Sequence, residues 1–135
     1  MNHNAVLKLL AIKLSLIAYH DKLLQDLTAL IAGSGCEEKF FITLLARLKF
    51  LMLQGTQATK HKEFEALKGE DGLFSMHICV RDLNIRILYA FSPQNTPILL
   101  LAFHERAGKR KTAYSAYTAP ARERLKEKLE ELHHG

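Results

Sequence analysis

The sequence has few of the residues that announce a chemistry by themselves. It carries two cysteines, Cys36 and Cys79, which form no CxxC pair and no Cys/His cluster at zinc spacing. Two thiols in a chain able to build its own core point to a reducing compartment. There is no group of Asp and Glu suited to Mg²⁺, no glycine-rich phosphate loop and no GxSxG turn. These absences set aside structural zinc modules, P-loop NTPases and α/β-hydrolases, and no metal and no small-molecule cofactor is expected. No internal repeat and no low-complexity segment interrupts the chain. Long hydrophobic runs are also missing. The most apolar stretch, residues 1–20, is broken by Lys8 and Lys13 and has neither a charged leader nor an Ala-x-Ala cleavage signal. It is too short and too charged to span a bilayer, so a cytoplasmic protein with no membrane partner is expected.

What is present is ordinary globular material. A length of 135 residues fits one domain over 1–135 that buries roughly two thirds of its unfolded surface. Hydrophobic residues make up 48% and charged residues 24%, without the bias of a disordered tail. Nineteen Lys and Arg against fourteen Asp and Glu give a net charge of +5, which favours a polyanionic or acidic partner.

Residues 12–20 alternate Ile12, Leu14, Leu16 and Ala18 with Lys13, Ser15 and Tyr19, the period of a strand. Residues 5–11 also fit a helical turn through Val6, Leu9 and Leu10, and a helix over 5–18 is the competing reading. Asp21 suits an N-cap for a helix to about Ala32, ended by Gly33. Ser34 and Glu37 have capping-box spacing before a broadly apolar helix from about Cys36 to Gln54, stopped by Gly55. Residues 55–72 read as a polar connection with one helical turn near 63–67. The period then returns to two in Phe74–Val80 and Ile85–Phe91. A loop at 93–97 leads to a central strand from Ile98 to Glu105. The last helix is expected over about Tyr117 to His133, with Thr118 as cap and Pro120 in its first turn. The order β-α-α-β-β-β-α describes an α/β (α+β) domain with a small twisted, mostly antiparallel sheet of about four strands.

Two clusters could carry chemistry. A two-residue turn at Leu83-Asn84, with Asn84 at positive φ, would set Arg81 opposite Arg86, Val80 opposite Ile87 and Ile78 opposite Tyr89. A slip by one residue would put Arg86 on the apolar face. Arg81 and Arg86 could hold a phosphate between them, although screening by Asp82 and solvent also accounts for such a pair. His77 on the same face could move a proton near neutral pH, while Cys79 beside it reads as an inert small residue. The second cluster is Arg106, Lys109, Arg110 and Lys111, followed by Tyr114 and Tyr117. Cations interleaved with aromatic rings suit single-stranded RNA, and a solvated basic loop is the plainer alternative.

GLFSMHI, NIRILYAF and ILLLAF, followed by a basic loop and an A-R-E-R-L helix, resemble the RelE/ParE superfamily of toxins, nearest its HigB-like, phage-derived branch. The resemblance covers about residues 64–130. It implies a RelE-like sheet flanked by helices, and ribosome-dependent cleavage of mRNA through 2′-OH attack. It also implies a cognate antitoxin as partner, beside mRNA and the ribosome. By position, Arg86 matches the family's strand arginine, Arg106 its basic residue after the aromatic at Phe103, and Lys109 and Lys111 its basic loop. His77 stands where the family has arginine, Ser75 where it has glutamate, and His104-Glu105 replaces part of the basic run. The expected catalytic set is therefore Arg86, His77, Lys109, Lys111 and Tyr114, with Arg81, Arg106, Arg110, His104 and Tyr117 binding RNA. A gyrase-poisoning toxin of the ParE type and a silent antitoxin-binding relative are the alternatives.

Overall fold

The structure is a computed structural model that describes residues 1–105 and 110–134, with side chains described for 1–105 and 114–133. Among the described residues it is an α+β arrangement of four α-helices and a five-stranded mixed sheet.

The N-terminal segment is helix, not strand. Asn2 caps α1 (His3–Lys13), its side-chain oxygen accepting from the Ala5 N–H at 2.8 Å. Val6, Leu10 and Leu14 lie one turn apart and are fully buried, whereas Ile12 is 64% exposed. The alternation over 12–20 was therefore misleading, because helical spacing decides which of its residues reach the core. A 3-10 turn (Leu14–Leu16) follows, and only Ala18–Tyr19 forms a strand, β1.

Helix α2 (Lys22–Ile31) starts without the expected cap. Asp21 is itself in a helical conformation with no side-chain bond to the helix, and His20 Nδ1 accepts from the Lys22 N–H at 3.1 Å. Nor does a capping box open α3 (Glu37–Gln54). Ser34 Oγ accepts from Cys36 N, and the Glu37 carboxylate reaches back to Gly33 N at 3.0 Å and the terminal ammonium. Gly55, with φ +55, ends α3, and a 3-10 segment (Gly55–Lys60) follows. The helical turn expected near 63–67 is instead a short strand, β2 (Phe64–Ala66).

Strands β3 (Phe74–Val80), β4 (Leu83–Phe91) and β5 (Pro97–His104) complete the sheet. Its order is β1-β5-β4-β3-β2, antiparallel except for the β1–β5 pair. Met76, Ile78, Ile85, Ile87 and Tyr89 face α1, α2 and α3 in one core, while Leu88, Ala90, Leu101 and Phe103 meet the last helix in a second. That helix, α4, runs from Arg110 to His134, longer than expected. Pro120 therefore lies inside it rather than in its first turn, and its missing N–H leaves the Ala116 carbonyl without the usual helical donor. Arg124 of α4 ties it to Asp26 of α2 at 2.6 Å and to the Leu100 carbonyl at 3.0 Å. Leu100 sits where the β4–β5 register shifts.

Candidate active site on the α4 face of the sheet

The β3–β4 register places the candidates differently from the expected hairpin. The turn is Arg81-Asp82, so Val80 pairs with Leu83, Cys79 with Asn84, Ile78 with Ile85 and His77 with Arg86. The positive φ belongs to Arg81 (53°), not Asn84. Moving the turn by two residues slips the pairing by four, an even number that leaves every side chain on its face, so alternation alone could not distinguish the two registers. Arg81 thus sits in the turn, about 13 Å along the strand from His77 at the usual strand rise. It does not oppose Arg86.

Arg86 lies at the centre of a polar network cut into an otherwise apolar sheet face. It is 6% exposed. Its Nε donates to Glu105 Oε1 at 3.1 Å, a second guanidinium nitrogen lies 3.1 Å from the same carboxylate, and the third is 3.6 Å from Glu65. Burying a guanidinium is costly unless it is paired and hydrogen-bonded, and Glu105 (8% exposed) supplies the pairing. Glu65 reaches the site from β2, the strand that sequence periodicity missed because three residues are too few to show it.

Tyr114 of α4 closes the network. Its hydroxyl is 2.8 Å from Glu65 Oε1 and 3.0 Å from Ser75 Oγ. The carboxylate can only accept, so the phenol donates to Glu65, and the Ser75 hydroxyl is free to donate to the phenol oxygen. Burial pushes the phenol above its ordinary range, with the Glu65 carboxylate adding to the rise and Ser75 and Arg86 opposing it. Tyr114 therefore holds its proton at neutral pH and can serve as a donor.

His77, half-buried, hydrogen-bonds Asn84 Oδ1 through Nε2. Asn84 Nδ2 donates to the Glu105 carbonyl at 3.0 Å. From α3, Arg47 Nε donates to the His77 carbonyl at 3.2 Å. Exposed His104 packs its Nε2 against the hairpin backbone, 3.2 Å from Asn84 N and 3.1 Å from the Asp82 carbonyl. Tyr117 stacks on Phe103 with ring centroids 4.1 Å apart, and Tyr114 meets the same ring edge-on at 5.7 Å. One face of the Tyr117 ring is thus occupied within the fold.

The structure therefore brings Arg86, His77 and Tyr114 to one sheet face, leaves Arg81 and His104 at the hairpin end, and packs Tyr117 on the core. Arg106 and Lys109 lie outside the described residues. Arg110 and Lys111 begin α4, with side chains outside the description. A cleft of about 540 Å³ opens beside the network between β2 and α4, lined by Glu65, Leu67, Lys68, Glu70, Tyr114 and Thr118.

No family model, no curated protein and no solved structure matches this chain. Sequence reasoning gives no site role to Glu65, Asn84 or Glu105: Asn84 is expected in the turn, and Glu105 reads as a carboxylate within the basic run that ends an apolar strand. Among the described residues no cluster of His, Cys, Asp and Glu could hold a metal ion, and no helix is long and apolar enough to cross a membrane.

Proposed function

We propose that the protein is a toxin-type endoribonuclease of the RelE/ParE kind, HigB-like, cutting mRNA on the ribosome and neutralised by a cognate antitoxin. The observation that carries the reading is the convergence of His77, Arg86 and Tyr114 on one sheet face through the β3–β4 register and the start of α4. Beneath it, four helices and a five-stranded mixed sheet make an α+β arrangement, compatible with the helix-flanked sheet that the resemblance implies.

Cleavage without a metal needs a base, an acid and a cation. In this reading His77 takes the proton of the 2′-hydroxyl, O2′ forms a bond to phosphorus, and the bond from phosphorus to O5′ breaks. Tyr114 gives its proton to the departing O5′ and recovers one from solvent, while His77 returns its own. The products are a 2′,3′-cyclic phosphate and a 5′-hydroxyl. Ser75, which holds Tyr114, and His77 stand two residues apart on one face of β3, about 6–7 Å at the usual strand rise. That spacing lets base and acid flank a phosphate. The positive charge of Arg86 is offset by two carboxylates, so phosphate binding falls to the cations at 106–111 as well.

The same offset favours a second reading, a non-nuclease relative in which Arg86 serves the fold and the chain poisons DNA gyrase or only binds its antitoxin. Inducing the chain alone, then mapping mRNA 5′ ends and plasmid supercoiling, separates them. New ends that disappear in His77→Ala support cleavage. Growth arrest with intact mRNA and altered supercoiling supports gyrase as target, and no toxicity supports a silent relative. His77→Ala is a cleaner probe than Arg86→Ala, because His77 is half-exposed and Arg86 is buried in an ion pair.

A further inference from the structure

We infer that Asn84 is a positioning residue that fixes His77 in one tautomer and presents its Nδ1 as the proton acceptor; the catalytic part of this rests on the nuclease reading above. The first link is the orientation of the Asn84 amide. Its Nδ2 lies 3.0 Å from the Glu105 carbonyl oxygen, a group that can only accept. A flipped amide would set two acceptors against each other there, so the Glu105 carbonyl determines which Asn84 atom faces His77. Neighbouring backbone bonds hold that carbonyl in place: Glu105 N–H donates to the Asn84 carbonyl at 2.8 Å.

The second link follows from the first. The atom turned toward His77 is Oδ1, also an acceptor, and its partner is His77 Nε2. Nε2 must therefore carry hydrogen, and the neutral ring has its lone pair on Nδ1. Among the described residues, no hydrogen bond engages Nδ1. The backbone of His77 is fixed separately, its N–H donating to the Glu63 carbonyl at 2.8 Å and its carbonyl accepting from Arg47. The ring can thus be oriented by Asn84 without help from its own main chain.

Titratable and charged groups stand on every described element next to His77. Arg86 is its register partner on β4, and Cys79 neighbours it on β3. Glu65 and Glu63 belong to the β2 side, and Tyr114 to α4. Arg47 approaches from α3, and Glu105 with His104 stands behind Asn84 on the β5 side. The Asn84 amide supplies the ring's direct acceptor and is itself uncharged. Tautomer control therefore comes without the electrostatic pull that a carboxylate at this position would exert on the imidazolium.

The test uses the whole protein. Long-range ¹H–¹⁵N correlation of the labelled chain should show neutral His77 protonated at Nε2. Asn84→Ala should convert it to a tautomer mixture and lower the rate of mRNA cleavage on programmed ribosomes by about tenfold, the loss expected for one oriented hydrogen bond. Asn84→Asp keeps an acceptor but adds charge, so cleavage should persist with its acidic limb moved to higher pH. Protonation of His77 at Nδ1, or a tautomer unchanged in Asn84→Ala, overturns the inference. So does an altered tautomer with an unaltered rate. If the unmodified chain cuts nothing while the tautomer behaves as described, the nuclease reading has failed, taking the acceptor role with it, and the spectrum distinguishes that failure from the others.

Discussion

Arg86 shows how one side chain can be read correctly from sequence and still be misplaced in function. It stands on the polar face of β4, as alternation requires, but it is buried between Glu105 and Glu65 rather than facing a second arginine. Removing the carboxylate should therefore hurt more than removing the pair. Glu105→Leu leaves a guanidinium with 7% side-chain exposure and, among the described residues, Glu65 at 3.6 Å as its remaining ionic partner, a loss of about 3 kcal/mol by urea denaturation. The double variant Arg86→Leu with Glu105→Leu should recover part of that loss. A double variant less stable than Glu105→Leu would contradict the pairing. Tyr89 behaves differently: its hydroxyl is fully buried with no hydrogen-bond partner among the described residues, and burial pushes the phenol far up.

Among the elements, the β3–β4 hairpin decides the geometry of the candidate site. Its turn places Arg81 at φ +53, where L side chains are strained by about 1–2 kcal/mol. Glycine relieves that strain and loses roughly 0.5–1 kcal/mol to chain entropy. Arg81→Gly should then gain about 0.5 kcal/mol in thermal or urea melts with the His77–Arg86 register intact, and a net loss would argue against this turn. This is also where legibility in the sequence ended. Strands β3 and β4 and helices α2 and α3 could be read from Met76, Ile78, Ile87, Leu27 and Leu44, because each sends a periodic apolar face into the core, and β5 from its nearly continuous apolar run, which is buried on both faces. The register could not be read, since Val80 opposite Leu83 and Val80 opposite Ile87 satisfy the same alternation. At the N-terminus alternation favoured a strand over the competing helix, because Ile12 at the end of α1 and Leu16 in the 3-10 turn imitate a strand yet face solvent. The start of α4 was hidden because the sequence offers a cap at Thr118 and a first-turn proline, signals that packing of Tyr114 and Tyr117 on Phe103 overrides.

At the scale of the molecule, two carboxylates fasten separate parts of the chain and make its stability sensitive to acid. Glu37 is held below its ordinary value of 4.5, first by its own backbone N–H, then by the terminal ammonium and Gly33 N–H against the opposing effect of burial. Glu70 is lowered chiefly by its hydrogen bond from Arg122, which joins the β2–β3 connection to α4. A depressed folded-state pKa stabilises fully above the unfolded value and fades as pH falls through the folded one. Stability should accordingly hold at neutral pH and fall below about 4.5. Glu70→Gln should flatten the part of that decline owed to Glu70 in urea melts taken across the range. An unchanged acid limb would remove Glu70 from the account.

If this face of the sheet cleaves RNA by 2′-OH attack, as proposed, the chemistry of the cut ends will record it. Total RNA recovered after induction should carry new mRNA termini bearing 2′,3′-cyclic phosphate and 5′-hydroxyl. His77→Ala, folded by the same spectra as the unmodified chain, should reduce those termini by about 10²-fold or more. Induced cells whose mRNA gains no such ends, or whose ends persist undiminished in His77→Ala, would rule out cleavage at this face.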